Sequence, residues 1–364
     1  MRRPLAVAFV AASMVCCARG ALPQSAASAP ATPSSSLPTS SEPPDADLDA
    51  ADALALTAAD ATSEADAALP FDDPMALHHD QPDALRALMG EAASVPIPVG
   101  GGPWRMGQGN RAIAQHAIGR RACMEGLRDV VLQTPEQRAR CGADGMVPVW
   151  ERGGSLETAR YCIDVFEFPG LPCELPFVFV TPAQALHVCH MEGKRLCSQD
   201  EWNLACRGDP GGGRDRVYAY GDDLDLAVCN TSKSRAALRP SCDVSSNDKL
   251  WTTCGTNTEP AGAFPRCRSR FGVFDQHGNV AEIMTRFEPA DGKMYSQLKG
   301  SAFFYVDVAK KPSDPGGYWS KYPDQCNFDP RWHVEKLEEA QHMNYHLGFR
   351  CCKTLEQGDA AAAP

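Results

Sequence analysis

Phe271-Gly-Val-Phe-Asp-Gln-His-Gly-Asn-Val-Ala-Glu282 sets core-type aromatics beside glycines and carries carboxylates at Asp275 and Glu282. A glycine in such a run marks a place where the backbone must turn or be approached closely. Gly278 permits a turn that points carbonyls inward, and Asp275 and Glu282 supply hard oxygens beside it. Hard oxygens on a short turn suit calcium. The plainer alternative is a hydrogen-bonded turn without metal.

Outward from this turn the chain shows short helices and short irregular apolar runs separated by Gly, Pro and Asn. Pro182 to Met191 reads as a helix with Thr181 as N-cap and Pro182 in its first turn. Ser198 to Arg207 reads as a second, with Ser198 and Glu201 as a capping box. Met124–Arg140 reads as a further helical segment between Cys123 and Cys141. Trp202, Leu196, Phe274 and Phe349 are core-type, and Arg195 and Arg350 carry fork-shaped donors able to tie loops to carboxylates or carbonyls. No internal repeat is present.

Of the 364 residues, 46 are acidic, 35 basic and 16 are Cys. Residues 42–92 hold 13 Asp or Glu against the single Arg86, a local balance of −12, so the rest of a −11 chain is near neutral at +1. No basic patch stands out, which argues against nucleic acid as a partner. Tight CxxC pairs are absent, so the scattered cysteines read as disulfides of an oxidising compartment rather than metal clusters. Arg2 and Arg3 followed by the apolar run Leu5–Val15 read as a signal peptide over 1–20. Ala18-Arg19-Gly20 offers one cleavage point; cleavage before Cys17, with lipidation of that thiol, is the other. Residues 21–92 read as a disordered acidic Ala/Ser/Pro/Asp-rich tether, residues 93–355 as the folded domain, and 356–364 as a disordered tail.

Several segments in order carry a distinctive combination: Val95-Pro-Ile-Pro-Val-Gly-Gly-Gly-Pro-Trp-Arg-Met-Gly107, Tyr161-Cys-Ile-Asp-Val-Phe-Glu167, Gly193-Lys-Arg-Leu-Cys-Ser-Gln-Asp-Glu-Trp-Asn-Leu-Ala-Cys-Arg-Gly208, Tyr220-Gly-Asp-Asp223, Pro260-Ala-Gly-Ala-Phe-Pro265, the 271–282 turn, Lys299-Gly-Ser301 and Leu347-Gly-Phe-Arg-Cys351. Together they resemble the formylglycine-generating enzyme (sulfatase-modifying factor) family across nearly all of 93–355. The resemblance implies a single irregular α+β domain related to the C-type lectin fold, with little regular secondary structure. It also implies disulfides Cys189–Cys351 and Cys206–Cys326. Sequence proximity alone suggests Cys123–Cys141 and Cys162–Cys173. The resemblance further implies calcium at Asp275, Gly278, Val280 and Glu282, and a second calcium at Asn230 and Thr231 completed by Asp243 or Asp248.

The family's founding reaction oxidises a peptide cysteine to formylglycine with oxygen and Cu(I), held by two thiolates. Counting back five and ten from Cys326, the family's structural cysteine, gives Lys321 and Gly316. Neither supplies a thiolate, so copper is not expected. His187, Cys189 and His190 lie along one helix and invite a zinc reading, countered by the disulfide role of Cys189. No GxSxG elbow supports a serine nucleophile. The expectation is an exported, envelope-anchored, non-catalytic binding or assembly module of a bacterial-type envelope. Its partner is an unknown envelope protein or peptide, and its only membrane contact is through a lipid anchor at Cys17. Gliding-motility lipoproteins of the family give a precedent. The alternative is a family oxidoreductase that modifies a protein cysteine with atypical residues.

Overall fold

The computed structural model describes residues 106–231, 242–304, 324–330, 334–337 and 339–356. The signal at 1–20, the tether at 21–92, Cys17, Gly316 and Lys321 lie outside the described residues, as does all of the tail except Glu356.

Local rules account for the helices. α1 (Arg120–Leu127) and α2 (Pro135–Cys141) replace the continuous Met124–Arg140 helix expected from sequence. The break comes from Thr134 and Pro135. Thr134 accepts the Gln137 N–H while Gln137 reaches back to the Thr134 N–H, and Pro135 starts the new helix without losing a bond. α3 (Pro182–Met191) and α4 (Gln199–Arg207) start at the capping boxes of Thr181 and Ser198. α5 (Asn247–Thr253) is capped by Ser246. Among the described residues no helix is long and apolar enough to cross a membrane.

Among the described residues, seven short strands make two sheets. β1 (Met146–Val149), β2 (Tyr161–Asp164), β7 (Cys351–Thr354) and β3 (Arg195–Leu196) pair antiparallel in that order. β5 (Lys293–Lys299) pairs antiparallel with β4 (Ala281–Glu288), which pairs parallel with β6 (Leu347–Phe349). A single residue, Arg350, separates β6 from β7, so the chain passes there from one sheet to the other. Its guanidinium is fully buried. Gly348, opposite Glu282 in the β4–β6 register, is confined by its surroundings: a Cβ there would lie 2.7 Å from the Phe177 carbonyl. Phe349 stacks on Phe168 at 4.7 Å, and Trp202, Leu196 and Phe274 are buried.

Seven disulfides pin these elements: 123–173, 141–162, 189–351, 197–352, 206–326, 229–267 and 242–254. Cys189–Cys351 and Cys206–Cys326 are the pairs that the family resemblance implies. Cys123–Cys141 and Cys162–Cys173 are corrected to Cys123–Cys173 and Cys141–Cys162. The strands decide this exchange. Cys162 pairs with Pro148 in the β1–β2 ladder, which brings it to the end of α2, whereas the Cys173 N–H is bonded to the Ala261 carbonyl that Cys123 also faces.

Candidate functional site

The 271–282 turn is the buried centre of the domain. Asp275 and Asn279 adopt φ of 55° and 56°, in the left-handed region, and Gly278 has φ 78°. A Cβ on Gly278 would stand 2.5 Å from the Asn230 carbonyl, so this glycine is required twice over. Asn279 locks the turn in place. Its N–H donates to the Asn230 carbonyl, its side-chain oxygen accepts from Asn230 Nδ2 and the Glu259 N–H, and its Nδ2 donates to Glu167 at 2.6 Å. The two segments expected to bind separate calcium ions are therefore packed against each other.

Three buried carboxylates, Glu167, Asp275 and Glu282, gather around one guanidinium, Arg350. Arg350 Nε and Nη2 each donate to a Glu282 oxygen at 2.6 Å, and Trp202 Nε1 donates to the same carboxylate at 3.0 Å. The remaining Arg350 donors reach the carbonyls of Asp164, Val165 and Phe274, tying β2 of one sheet to β4 of the other. Glu167 accepts the Val280 N–H and Asp275 accepts the Gly262 N–H. Burial pushes the Asp275 carboxyl up to about 7, opposed by the Gly262 hydrogen bond and by Arg350. Burial and then the charges of Asp275 and Glu282 raise Glu167 well above the usual carboxylate range, against the pull of Arg350. The segment that holds Glu167 does not by itself mark a role for this carboxylate. Its distance in sequence from Asn279 and Val280 concealed one.

As a calcium site this arrangement fits poorly. Glu282 already faces a cation, Arg350, and its two oxygens take three N–H donors. At the second expected site, Asp243 accepts the Ser245 N–H, and Asp248 is exposed in the first turn of α5. Among the described contacts neither touches Asn230. The His187–Cys189–His190 reading fails on the Cys189–Cys351 bond, and His190 is exposed. Lys299 is buried below the same turn, 5.2 Å over the Trp202 ring, and donates to the Phe328 carbonyl and to Asp329. Burial lowers its pKa, partly offset by Asp329.

Beside the turn, His277 lies against the Cys206–Cys326 disulfide, with Asp324 on the other edge of its ring. A cleft of about 550 Å³ runs along Val130, Val131, Leu132, Phe166, Leu171 and Pro172.

The model of the sulfatase-modifying factor enzyme 1-like domain (FGE-sulfatase) matches residues 164–355. The chain belongs to this family. The match begins at the last residue of β2 and takes in β3, β7, the turn, the β5–β4–β6 sheet and Arg350, leaving β1 outside. Among solved structures, CarF aligns at 13% identity and TM-score 0.35, over 57% of this chain and 93% of that one. The Major Tropism Determinant P3c and U1 variants each align at 12% identity and TM-score 0.29, over 58% of this chain and 52% of theirs. No curated protein sequence matches.

Proposed function

We propose that this protein is an exported, envelope-anchored binding or assembly module built on a sulfatase-modifying factor domain, without the copper oxidase chemistry of its family. The observation that carries this reading is the cysteine inventory. The chain has 16 cysteines, of which the 14 from Cys123 to Cys352 form the seven disulfides; only Cys16 and Cys17 remain. A Cu(I) oxidase site draws on soft thiolates, and a disulfide sulfur is not one. Cys326, the one cysteine near the family's copper positions, is bonded to Cys206. So many disulfides are also compatible with an extracellular or periplasmic location.

Copper-loaded protein incubated with oxygen and a sulfatase-type cysteine peptide should leave the peptide thiol unconverted by mass spectrometry. Catalytic appearance of an aldehyde product would reverse the reading.

The family resemblance also proposes calcium at Asp275, Gly278, Val280 and Glu282, and at Asn230 and Thr231. Because Arg350 neutralises Glu282, we expect millimolar calcium to leave Tm unchanged. A rise in Tm that a chelator reverses would restore the calcium reading, since a ligand bound only to the folded state must stabilise it.

A further inference from the structure

Cys206 Sγ and Cys326 Sγ lie 3.4 and 3.9 Å from His277 Nε2, and all three atoms fall within 4.8 Å of one another. The Ala219 N–H donates to Nε2 at 2.9 Å, which places the ring's lone pair on Nε2 and its proton on Nδ1. Nδ1 faces Asp324 Oδ2 at 3.4 Å, and that carboxylate is held by the Ser301 hydroxyl at 2.8 Å. Neither Nδ1 nor Asp324 Oδ1 has a hydrogen-bond partner, although both are shut away from solvent. Tyr218 and Tyr220, stacked on each other, set their rings 5.7 and 5.5 Å from the imidazole. Tyr220 is part-exposed, so the centre lies one aromatic layer beneath the surface. A carboxylate behind an imidazole whose other nitrogen points at sulfur is the arrangement that orients a metal-binding histidine.

We propose that the dithiol form of this centre binds one Zn²⁺ through Cys206 Sγ, Cys326 Sγ and His277 Nε2, with Asp324 positioning the imidazole. The thiols exist before an oxidant reaches the chain, or after a dithiol reductant opens the bond. In the second case the reductant gives two electrons and two protons to the two sulfurs and leaves as its own disulfide. Zn²⁺ then replaces the two thiol protons, which pass to solvent. Tetrahedral zinc, with Zn–S of about 2.3 Å and Zn–N of about 2.0 Å, needs sulfur–nitrogen separations of about 3.6 Å. The observed 3.4 and 3.9 Å bracket that value. The two sulfurs must part to about 3.8 Å, and the Ala219 amide must move off the Nε2 lone pair. Two cysteines and one histidine leave a fourth position open to water. Metal at Nε2 takes the lone pair from the Ala219 N–H, so that amide gives up its bond. The donors differ from the family's copper positions at 316 and 321.

The test treats the full chain with graded dithiothreitol, in chelator or in ZnCl₂, followed by alkylation with N-ethylmaleimide and peptide mapping. In chelator, Cys206 and Cys326 should be alkylated while the fold persists by circular dichroism. In zinc, both should be protected, and the metal should stay with the chain through gel filtration. His277→Gln should weaken zinc retention at least tenfold. Asp324→Asn should weaken it by about tenfold or more while leaving the shape of a Co²⁺-thiolate spectrum unchanged. Equal alkylation of the pair with and without zinc overturns the proposal. So does zinc retention in His277→Gln equal to the parent's, or opening of this bridge only on global unfolding. If His277→Gln does not fold, the protection map of the parent protein decides.

Discussion

Replacing Arg350 by methionine should cost roughly 3–5 kcal/mol of folding stability, with a loss that grows as pH rises. The guanidinium is the one cation among Glu167, Asp275 and Glu282, and it lowers the first two carboxyls against the effect of burial. Without it, Glu282 keeps only the Trp202 N–H, and the Asp164 and Phe274 carbonyls lose donors. Methionine fills much of the volume, so the loss reports charge more than cavity. Glu167 and Asp275 would then hold protons in the folded chain to higher pH. Asp275 already stands at about 7 with Arg350 in place. Above the ordinary carboxylate values of 3.8 and 4.5, the unfolded chain has released those protons while the folded variant has not. Stability therefore falls as pH rises through that window. Urea midpoints of parent and variant in chelator, at pH 4.5 and pH 8, read both effects. A deficit that is the same at both pH values would show that the carboxylates do not depend on Arg350. Glu282→Gln added to Arg350→Met should recover part of the loss, because the two groups are directly bonded.

Removing the Cys189–Cys351 bridge as a double alanine variant should cost about 3 kcal/mol, much the same as removing Cys242–Cys254. The first spans 162 residues and the second 12, but Cys197–Cys352 stays closed beside the first, so its loss frees a loop of only about 10 residues. The cost lies in the unfolded chain, whose gain in freedom follows the loop that actually opens. Alanine is preferred to serine because Cys189 and Cys351 are both fully buried, and a hydroxyl there would want a partner. Guanidinium midpoints of the two variants under non-reducing conditions compare them directly. Clearly unequal losses would mean that native packing, rather than loop entropy, sets the contribution.

What was legible in the sequence follows the range of the interactions. The caps at Thr181 and Ser198 act over three residues, and both helices begin there. The same three-residue signal at Thr134–Gln137 is present, yet it falls inside Met124–Arg140, which reads as one helical segment. Pairing Cys123 with Cys141 by nearness failed for a related reason: strand register, not chain distance, brings Cys141 to Cys162. The order of short motifs was enough for the family. The centres built around the 271–282 turn were not legible, since their members arrive from separate elements. Glu167 meets Val280 from 113 positions away, and His277 meets Cys206 from 71. Arg350 was seen as a tie between loops, but its guanidinium also stands against Glu282, where the calcium reading had placed an ion.

The adjacent pair Cys351-Cys352 sets a timetable for the chain. Both bond to cysteines made long before them, Cys189 and Cys197, at separations of 162 and 155 residues. At 5–20 residues per second, synthesis of that interval takes roughly 8 to 30 s. Throughout it Cys189 and Cys197 wait as thiols, while Cys123, Cys141, Cys162 and Cys173, joined over 50 and 21 residues, are complete. The four-stranded sheet is held open over the same interval, since β7 lies between β2 and β3 and is the last strand made. An oxidant that meets this chain from its N-terminus has time to join Cys189 or Cys197 to the wrong neighbour. Reaching the native set then depends on reshuffling by a thiol–disulfide isomerase, or on keeping those thiols occupied until the last strand arrives.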